Sequence, residues 1–159
     1  MRNINKITTA AIIAALYVVL TFIANALGLA SGAVQVRISE ALTVLPIFTF
    51  SAVPGLAIGC LAANILTGCA LWDVVFGTVA TLIGALGTYM LRKHKLLALV
   101  PPIISNTIIV PFVLIYAYGI KQALPFLILT VGLGEIISAG VLGGALLKVL
   151  DKNKHFLFK

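Results

Sequence analysis

The sequence predicts an all-α integral membrane protein with six transmembrane helices, both termini in the cytoplasm, and one domain over residues 1–159. Of the 159 residues, 62% are hydrophobic and only 9% are charged, whereas soluble domains carry about 25% charged residues. Mean hydropathy is +1.20, the reverse of a disordered chain, which combines low hydrophobicity with many charges. Long uncharged runs recur, and a helix of about 20 residues crosses a bilayer. A soluble globular domain is therefore excluded.

The helix count follows from five runs without charged residues: 7–36, 41–72, 74–91, 96–120 and 122–147, the last of which is interrupted only by Glu135. The second run carries Ser51, Pro54 and Gly55 near its middle, residues that favour a turn, so it predicts a hairpin of two helices. The first of these has at most 13 residues between Glu40 and Pro54, about 20 Å at 1.5 Å per residue. It cannot span alone, so the preceding segment must enter the protein.

Lysine and arginine positions support the hairpin, because these residues concentrate in cytoplasmic loops. Six crossings leave two of the eleven basic residues outside, Arg37 and Lys121, and nine inside: Arg2, Lys6, Arg92, Lys93, Lys95, Lys148, Lys152, Lys154 and Lys159. Five crossings would reverse the bias. The alternative for the N-terminus is a cleaved signal peptide ending near Ala30, which would leave five crossings.

Between residues 31 and 40, apolar and polar side chains alternate with a period of two. An extended stretch would direct Gln35, Arg37 and Ser39 to one face, where this outer loop could lie across a cavity mouth as a gate. The alternative is an ordinary loop in which Arg37 pairs with Glu40.

Glu135 lies near the middle of the sixth helix, 14 residues after Lys121 and 13 before Lys148. Each lysine is thus about 20 Å away along the axis, and we expect no cation at the depth of Glu135 on any helix. Intramembrane carboxylates are costly unless paired, and they usually mark function. Either Glu135 is protonated and bonded to a neighbouring helix, or its partner is a ligand that carries N–H donors.

Other candidates lie at predicted helix ends or as amides within apolar runs. Asp73 follows Trp72 at the outer start of the fourth helix, where it could cap the helix and the indole could anchor at the interface, or both could bind a ligand. Asn64 and Asn106 are explained equally by interhelical hydrogen bonds and by ligand binding. Tyr116 and Tyr118 are typical of an aromatic belt.

Small residues form a stripe at the cytoplasmic end of the first helix, at Ala10, Ala11, Ala14 and Ala15. A second stripe, Gly55, Gly59 and Ala63, follows the third helix. Such stripes let helices pack closely, but spacing does not decide whether the partner is this chain or another subunit.

No catalytic, metal or cofactor pattern is present in the sequence. Neither His94 nor His155 has ligands at metal spacing, and no glycine-rich phosphate loop occurs. Cys60 and Cys69 would lie about 13 Å apart on one helix, too far for a disulfide. We predict no enzyme, no metal and no cofactor, and any energy for transport must come from elsewhere.

The run from Val34 to Pro46, VQVRISEALTVLP, resembles the queuosine-precursor transporter family, the substrate-binding S components of energy-coupling factor (ECF) transporters. The similarity covers nearly the whole chain. Its other marks are ITTAAIIAALY at 7–17, Pro54-Gly55-Leu56 with Asn64, Pro101-Pro102 before Asn106, and TVGLGE at 130–135.

The resemblance implies an S-component fold in the plasma membrane, with a site open to the outside. It also implies that the alanine face of the first helix meets a transmembrane T component, with two cytoplasmic ATPases driving substrate release. The implied ligand is a 7-deazaguanine or queuine, and the expected binding residues are Gln35, Arg37, Glu40, Asn64, Trp72, Asp73, Asn106 and Glu135.

The chemistry of a 7-deazaguanine agrees with these residues. Glu135 or Glu40 can accept from the ring N–H and amino group, Arg37 or an amide can donate to the carbonyl oxygen, and Trp72 could stack on the ring. Asp73 or the second glutamate is available for an aminomethyl cation. The alternatives are an S component for another vitamin-like molecule and a stand-alone secondary transporter driven by proton exchange at Glu135.

The charge distribution yields a topology test. Single cysteines introduced at Lys93 and Lys154 should be shielded from membrane-impermeant thiol reagents in intact cells, whereas one at Lys121 should be labelled. Labelling at Lys93 without labelling at Lys121 would contradict the six-helix topology.

Overall fold

The computed structural model describes residues 2–29 and 34–157, and no strand occurs within these ranges. The elements are α1 (Arg2–Ala26), a 3₁₀-helix (Ile38–Ile47), α2 (Ala52–Leu66), α3 (Leu71–Met90), α4 (Val100–Tyr118, after a 3₁₀ turn at Leu97–Leu99), α5 (Leu124–Glu135), a π-helical segment (Ile136–Leu142) and α6 (Gly143–Leu157). The last three follow one another without a break. The all-α prediction is confirmed.

In the described part of the chain, four helical stretches are long and apolar enough to cross a membrane: Ile4–Ala26, Leu71–Met90, Leu97–Tyr118 and Leu124–Asn153. The 3₁₀-helix and α2 are shorter, and together they form the hairpin predicted for the second apolar run. The first arm, the 3₁₀-helix, has only 10 residues and begins at Ile38. This start lies within residues 31–40, which the sequence predicts to form an outer loop. The predicted six-helix order is therefore present, with one arm too short to span.

The 3₁₀-helix is the centre of the bundle. Its residues 39–46 are all buried, and it packs against α1, α3, α6 and the π-helical segment. A 3₁₀-helix rises about 2.0 Å per residue, so this one covers only about 20 Å. Surrounding helices bury its interior, as the bilayer requires for backbone that does not span it.

The glycine stripe of α2 packs directly on α1. A Cβ atom at Gly55 would lie 2.7 Å from the carbonyl oxygen of Ala10, and one at Gly59 would lie 2.7 Å from Cβ of Tyr17 and 3.0 Å from Cα of Ala14. The two backbones therefore meet with no side chain between them, which is how small residues allow close helix packing.

This packing divides the alanine stripe of α1, whose contact with a partner subunit stays a prediction. Ala10 and Ala14 are half-buried and face α2 within the same chain. Ala11 and Ala15 are exposed, because a helix turns these positions about 100° away from Ala10 and Ala14.

The segment before the 3₁₀-helix crosses the last helical stretch at Gly134. A Cβ atom there would overlap the backbone carbonyl oxygen of Gln35. The backbone N–H of Arg37 donates to Oγ of Ser138 at 3.0 Å, and Arg37 has extended angles, φ −101° and ψ 98°. The predicted extended stretch thus ends at Arg37, since Ser39 already belongs to the 3₁₀-helix, while residues 31–33 lie outside the described part of the chain.

The contact at Gly134 yields a stability test. Gly134→Ala should destabilise the protein by about 1–3 kcal/mol, because the new methyl group overlaps backbone that cannot turn away. Gly132→Ala is the matched control, since its Cβ would meet Thr107 at an ordinary 3.4 Å and alanine favours a helix by about 1 kcal/mol over glycine. Thermal melting in detergent should separate the two variants, and equal melting temperatures would contradict the close crossing.

Candidate functional site

A cavity of about 270 Å³ lies at the predicted outer end of the bundle, where α1 and α4 end and α3 begins. Its walls come from these helices, from α2 and from the segment before the 3₁₀-helix. The lining residues are Tyr17, Thr21, Ala24, Asn25, Gln35, Arg37, Ser39, Asn64, Thr67, Cys69, Asp73, Leu114, Tyr118 and Ile120. Most of them carry polar side chains, which is unusual for a chain of this composition.

Four of the eight predicted binding residues line this cavity: Gln35, Arg37, Asn64 and Asp73. Ser39 joins Gln35 and Arg37 there, as the alternating pattern predicted for one face of the segment. The segment therefore forms one wall of the cavity, and its role as a gate stays a prediction.

Asp73 is the carboxylate of the cavity wall, and it is only 5% exposed. It lies in the first turn of α3, whose N-cap is Ala70 with no side-chain capping bond. The hydroxyl of Tyr118 donates to Oδ2 of Asp73 at 2.9 Å, and the amide of Asn64 donates to its backbone carbonyl at 3.3 Å. Oδ1 is buried and has no hydrogen-bond partner among the described residues, so one oxygen is fixed and the other lacks a donor.

Arg37 supplies the positive charge of the cavity. Its guanidinium interacts electrostatically with Asp73 and Glu40, yet within the described ranges it forms no ion pair with either at 4.0 Å or less. The alternative of a closed loop held by an Arg37–Glu40 pair is therefore not what the structure shows. Arg37 can donate to a ligand without first breaking such a pair.

Three further predicted residues, Glu40, Asn106 and Glu135, form a buried cluster directly beneath the cavity. Their side chains are between 0% and 5% exposed, and Asn106 lies beside both carboxylates. Tyr17, which lines the cavity, donates its hydroxyl hydrogen bond to Oε1 of Glu40. Oε2 of each glutamate and Nδ2 of Asn106 have no partner in the described part of the chain.

The prediction that no helix carries a cation at the depth of Glu135 leaves out Arg37, which lies just before the 3₁₀-helix. Arg37 interacts electrostatically with Glu135, because the segment that carries Arg37 enters the bundle and crosses the last helical stretch at Gly134. Residue spacing along the sixth helix gives no information about a cation in a different segment of the chain, such as Arg37.

Trp72 lies outside the cavity. It is 61% exposed and stacks on Phe76 at 5.6 Å between ring centroids, in a surface groove that also contains Phe112 and Tyr116. This placement fits the interfacial anchor rather than a platform for a ligand ring. Tyr116 is 80% exposed and suits the same belt.

The sequence did not single out several cavity residues. Tyr17, Thr21 and Asn25 are spaced by four, which places them on one face of α1, and this spacing is the signal that could have identified them. Thr21 donates to Oγ of Ser39 at 3.0 Å. Tyr118, predicted to be a belt residue, instead turns inward to Asp73.

The described residues contain no group of three or more histidine, cysteine, aspartate or glutamate side chains able to hold a metal ion. Both cysteines are free. The cavity offers hydrogen-bonding and charged side chains to a ligand.

Comparison with known proteins agrees with a binding and transport role. Residues 7–152 match the family described as QueT transporter. A relative from Lactococcus lactis subsp. cremoris (strain MG1363), "Queuosine precursor transporter QueT", is 35% identical over 91 residues, or 56% of this chain and 53% of the relative. The alignment thus spans about half the length of that relative, and no solved structure matches. Because the family match covers residues 7–152, most of the chain, the chain belongs to the QueT transporter family.

Proposed function

We propose that the chain is the substrate-binding membrane subunit of an ECF-type importer, and that it takes up a queuosine precursor, a 7-deazaguanine or queuine. The observation that carries the proposal is the buried carboxylate of Asp73, which lines the cavity and leaves Oδ1 without a partner. A buried acceptor of this kind costs free energy until a donor meets it. The name of the curated relative points to the same ligand class.

The ligand edge and the cavity have matching hydrogen-bonding groups. A 7-deazaguanine presents a ring N–H and an amino group side by side, and Asp73 is the acceptor we assign to them. Its carbonyl oxygen needs a donor, which Arg37, Gln35 or Asn64 can supply. The cavity, at about 270 Å³, is slightly below the roughly 300–1,000 Å³ of most ligand pockets, which suits a single small base.

The charge of the site favours a ligand with donors or positive charge. Three carboxyl groups, on Asp73, Glu40 and Glu135, lie in or beneath the cavity, while Arg37 is the cation that interacts with all three. Complementary charge attracts and orients a ligand. An aminomethyl group on the deazaguanine would add such a cation, and the carboxyl groups of Glu40 and Glu135 beneath it can accept its hydrogen bonds.

Transport needs an energy source, and the proposal assigns it to partner proteins, a T component and two cytoplasmic ATPases. The sequence has no glycine-rich phosphate loop of its own. The exposed pair Ala11 and Ala15 on α1 offers a small-residue surface of the kind that lets another membrane helix approach closely.

A second candidate is a stand-alone carrier that exchanges protons at Glu135. The buried, unpartnered Oε2 of Glu135 favours it. Purification from the native membrane distinguishes the two, since an S component should bring down a T component and ATPases, and a stand-alone carrier should come alone.

Asp73→Asn tests the ligand contact. Tyr118 can still donate to the amide oxygen, so the NH₂ group would face the ligand donors. Hydrogen bonds to charged groups contribute about 1.5–3 kcal/mol, so affinity for a 7-deazaguanine should fall by about tenfold to a hundredfold in isothermal titration.

Asp151→Asn is the matched control for this substitution. Asp151 pairs with Lys95 at 2.6 Å at the opposite end of the bundle, with both side chains more than a third exposed. Such pairs contribute little to stability, so affinity should stay unchanged. Equal affinity of the Asp73→Asn variant and the native protein, with a normal melting curve, would remove Asp73 from the site.

Ala15→Trp tests coupling to a partner. Because Ala15 is exposed, the bulky side chain should leave melting and ligand binding of the isolated subunit intact while abolishing uptake by cells. Ala14→Trp should instead lower the melting temperature, because Ala14 contacts Gly59. Normal uptake by the Ala15→Trp variant would rule out a partner helix at this face.

A further inference from the structure

A second cavity, of about 310 Å³, adjoins the first at the same end of the bundle. It lies between α4 and α5, and its lining residues are Gln35, Leu114, Ile120, Gln122, Leu127, Thr130 and Val131. Gln35, Leu114 and Ile120 line both cavities. These three side chains are therefore the partition between them.

The partition is packed against the core except at Gln35. Leu114 is buried in a cluster with Leu127 and Val131, and Ile120 packs against that cluster. Gln35 is half-buried, and its backbone is held where it crosses Gly134. A glutamine side chain has several staggered rotamers, so Gln35 can turn away and join the two spaces while its backbone stays in place.

The second cavity has neutral polar groups on an apolar wall. Gln122 is exposed at its rim, and Thr130 is only 6% exposed. The Thr130 hydroxyl donates to the carbonyl oxygen of Leu127 at 3.2 Å, which leaves its oxygen free to accept. None of the lining residues is charged, in contrast to the first cavity with Asp73 and Arg37.

We infer that the second cavity is a subsite for a neutral, hydroxylated substituent of a ligand whose base occupies the first cavity. The inference rests on the proposed function. Amide and hydroxyl groups can both donate to and accept from a diol, and Leu127 and Val131 suit the carbon skeleton of a small ring. Among queuosine precursors, queuine carries such a ring, a cyclopentenediol joined to the base through an aminomethyl link.

Calorimetric titration with two probes tests the subsite: queuine, and 7-aminomethyl-7-deazaguanine, which lacks the ring. The native protein should bind both. Gln122→Ala and Thr130→Val should each weaken queuine by about threefold to tenfold, the effect of losing a neutral hydrogen bond. The smaller base should bind both variants within about twofold of native affinity, because it does not reach these residues.

Lys121→Ala is the control, because Lys121 neighbours Gln122 in the chain without lining either cavity. It should leave both affinities unchanged. Gln122→Ala changes an exposed side chain and should fold normally even if Thr130→Val does not.

The outcomes separate this inference from the proposed function. If the small base binds and queuine does not, or if the Gln122→Ala variant binds queuine as the native protein does, the subsite is wrong and the proposed function stands. If the native protein binds neither probe, the proposed function fails and the subsite fails with it.

Discussion

The hydrogen bond from Tyr17 to Glu40 links α1 to the buried 3₁₀-helix, and the rest of the structure depends on this link. Glu40 is fully buried at the start of the 3₁₀-helix, and Tyr17 reaches it from α1 while its Cβ packs on Gly59 of α2. A carboxylate in an apolar interior needs partners. Meeting that need draws α1, α2 and the 3₁₀-helix together, and the ring of Tyr17 then forms part of the cavity above.

The same constraint explains why the short 3₁₀-helix is tolerated. Its 10 residues cannot cross a membrane, and the four longer stretches surround it. A helix that does not span can carry polar side chains to the middle of the bundle, close to Glu135 and Asn106. The site thus depends on a hairpin whose short first arm is buried inside the bundle.

Much of this architecture could be predicted from sequence, because composition and spacing report on the bilayer directly. The turn at Ser51 and Pro54 predicted the hairpin, and the period of two predicted that Gln35 and Arg37 share a face. What sequence could not predict depends on contacts between distant segments. The proximity of Arg37 to Glu135 and the packing of Ala14 on Gly59 arise only once a loop and two helices are placed together.

The central claim is that a donor-rich base satisfies the acceptors of this cavity, above all the carboxylate of Asp73. The most direct measurement is mass spectrometry of small molecules released from the protein after purification from cells supplied with queuosine precursors. The account predicts a 7-deazaguanine, released in an amount close to one per protein chain. Release of a ligand that lacks adjacent N–H donors, in the same proportion, would contradict it.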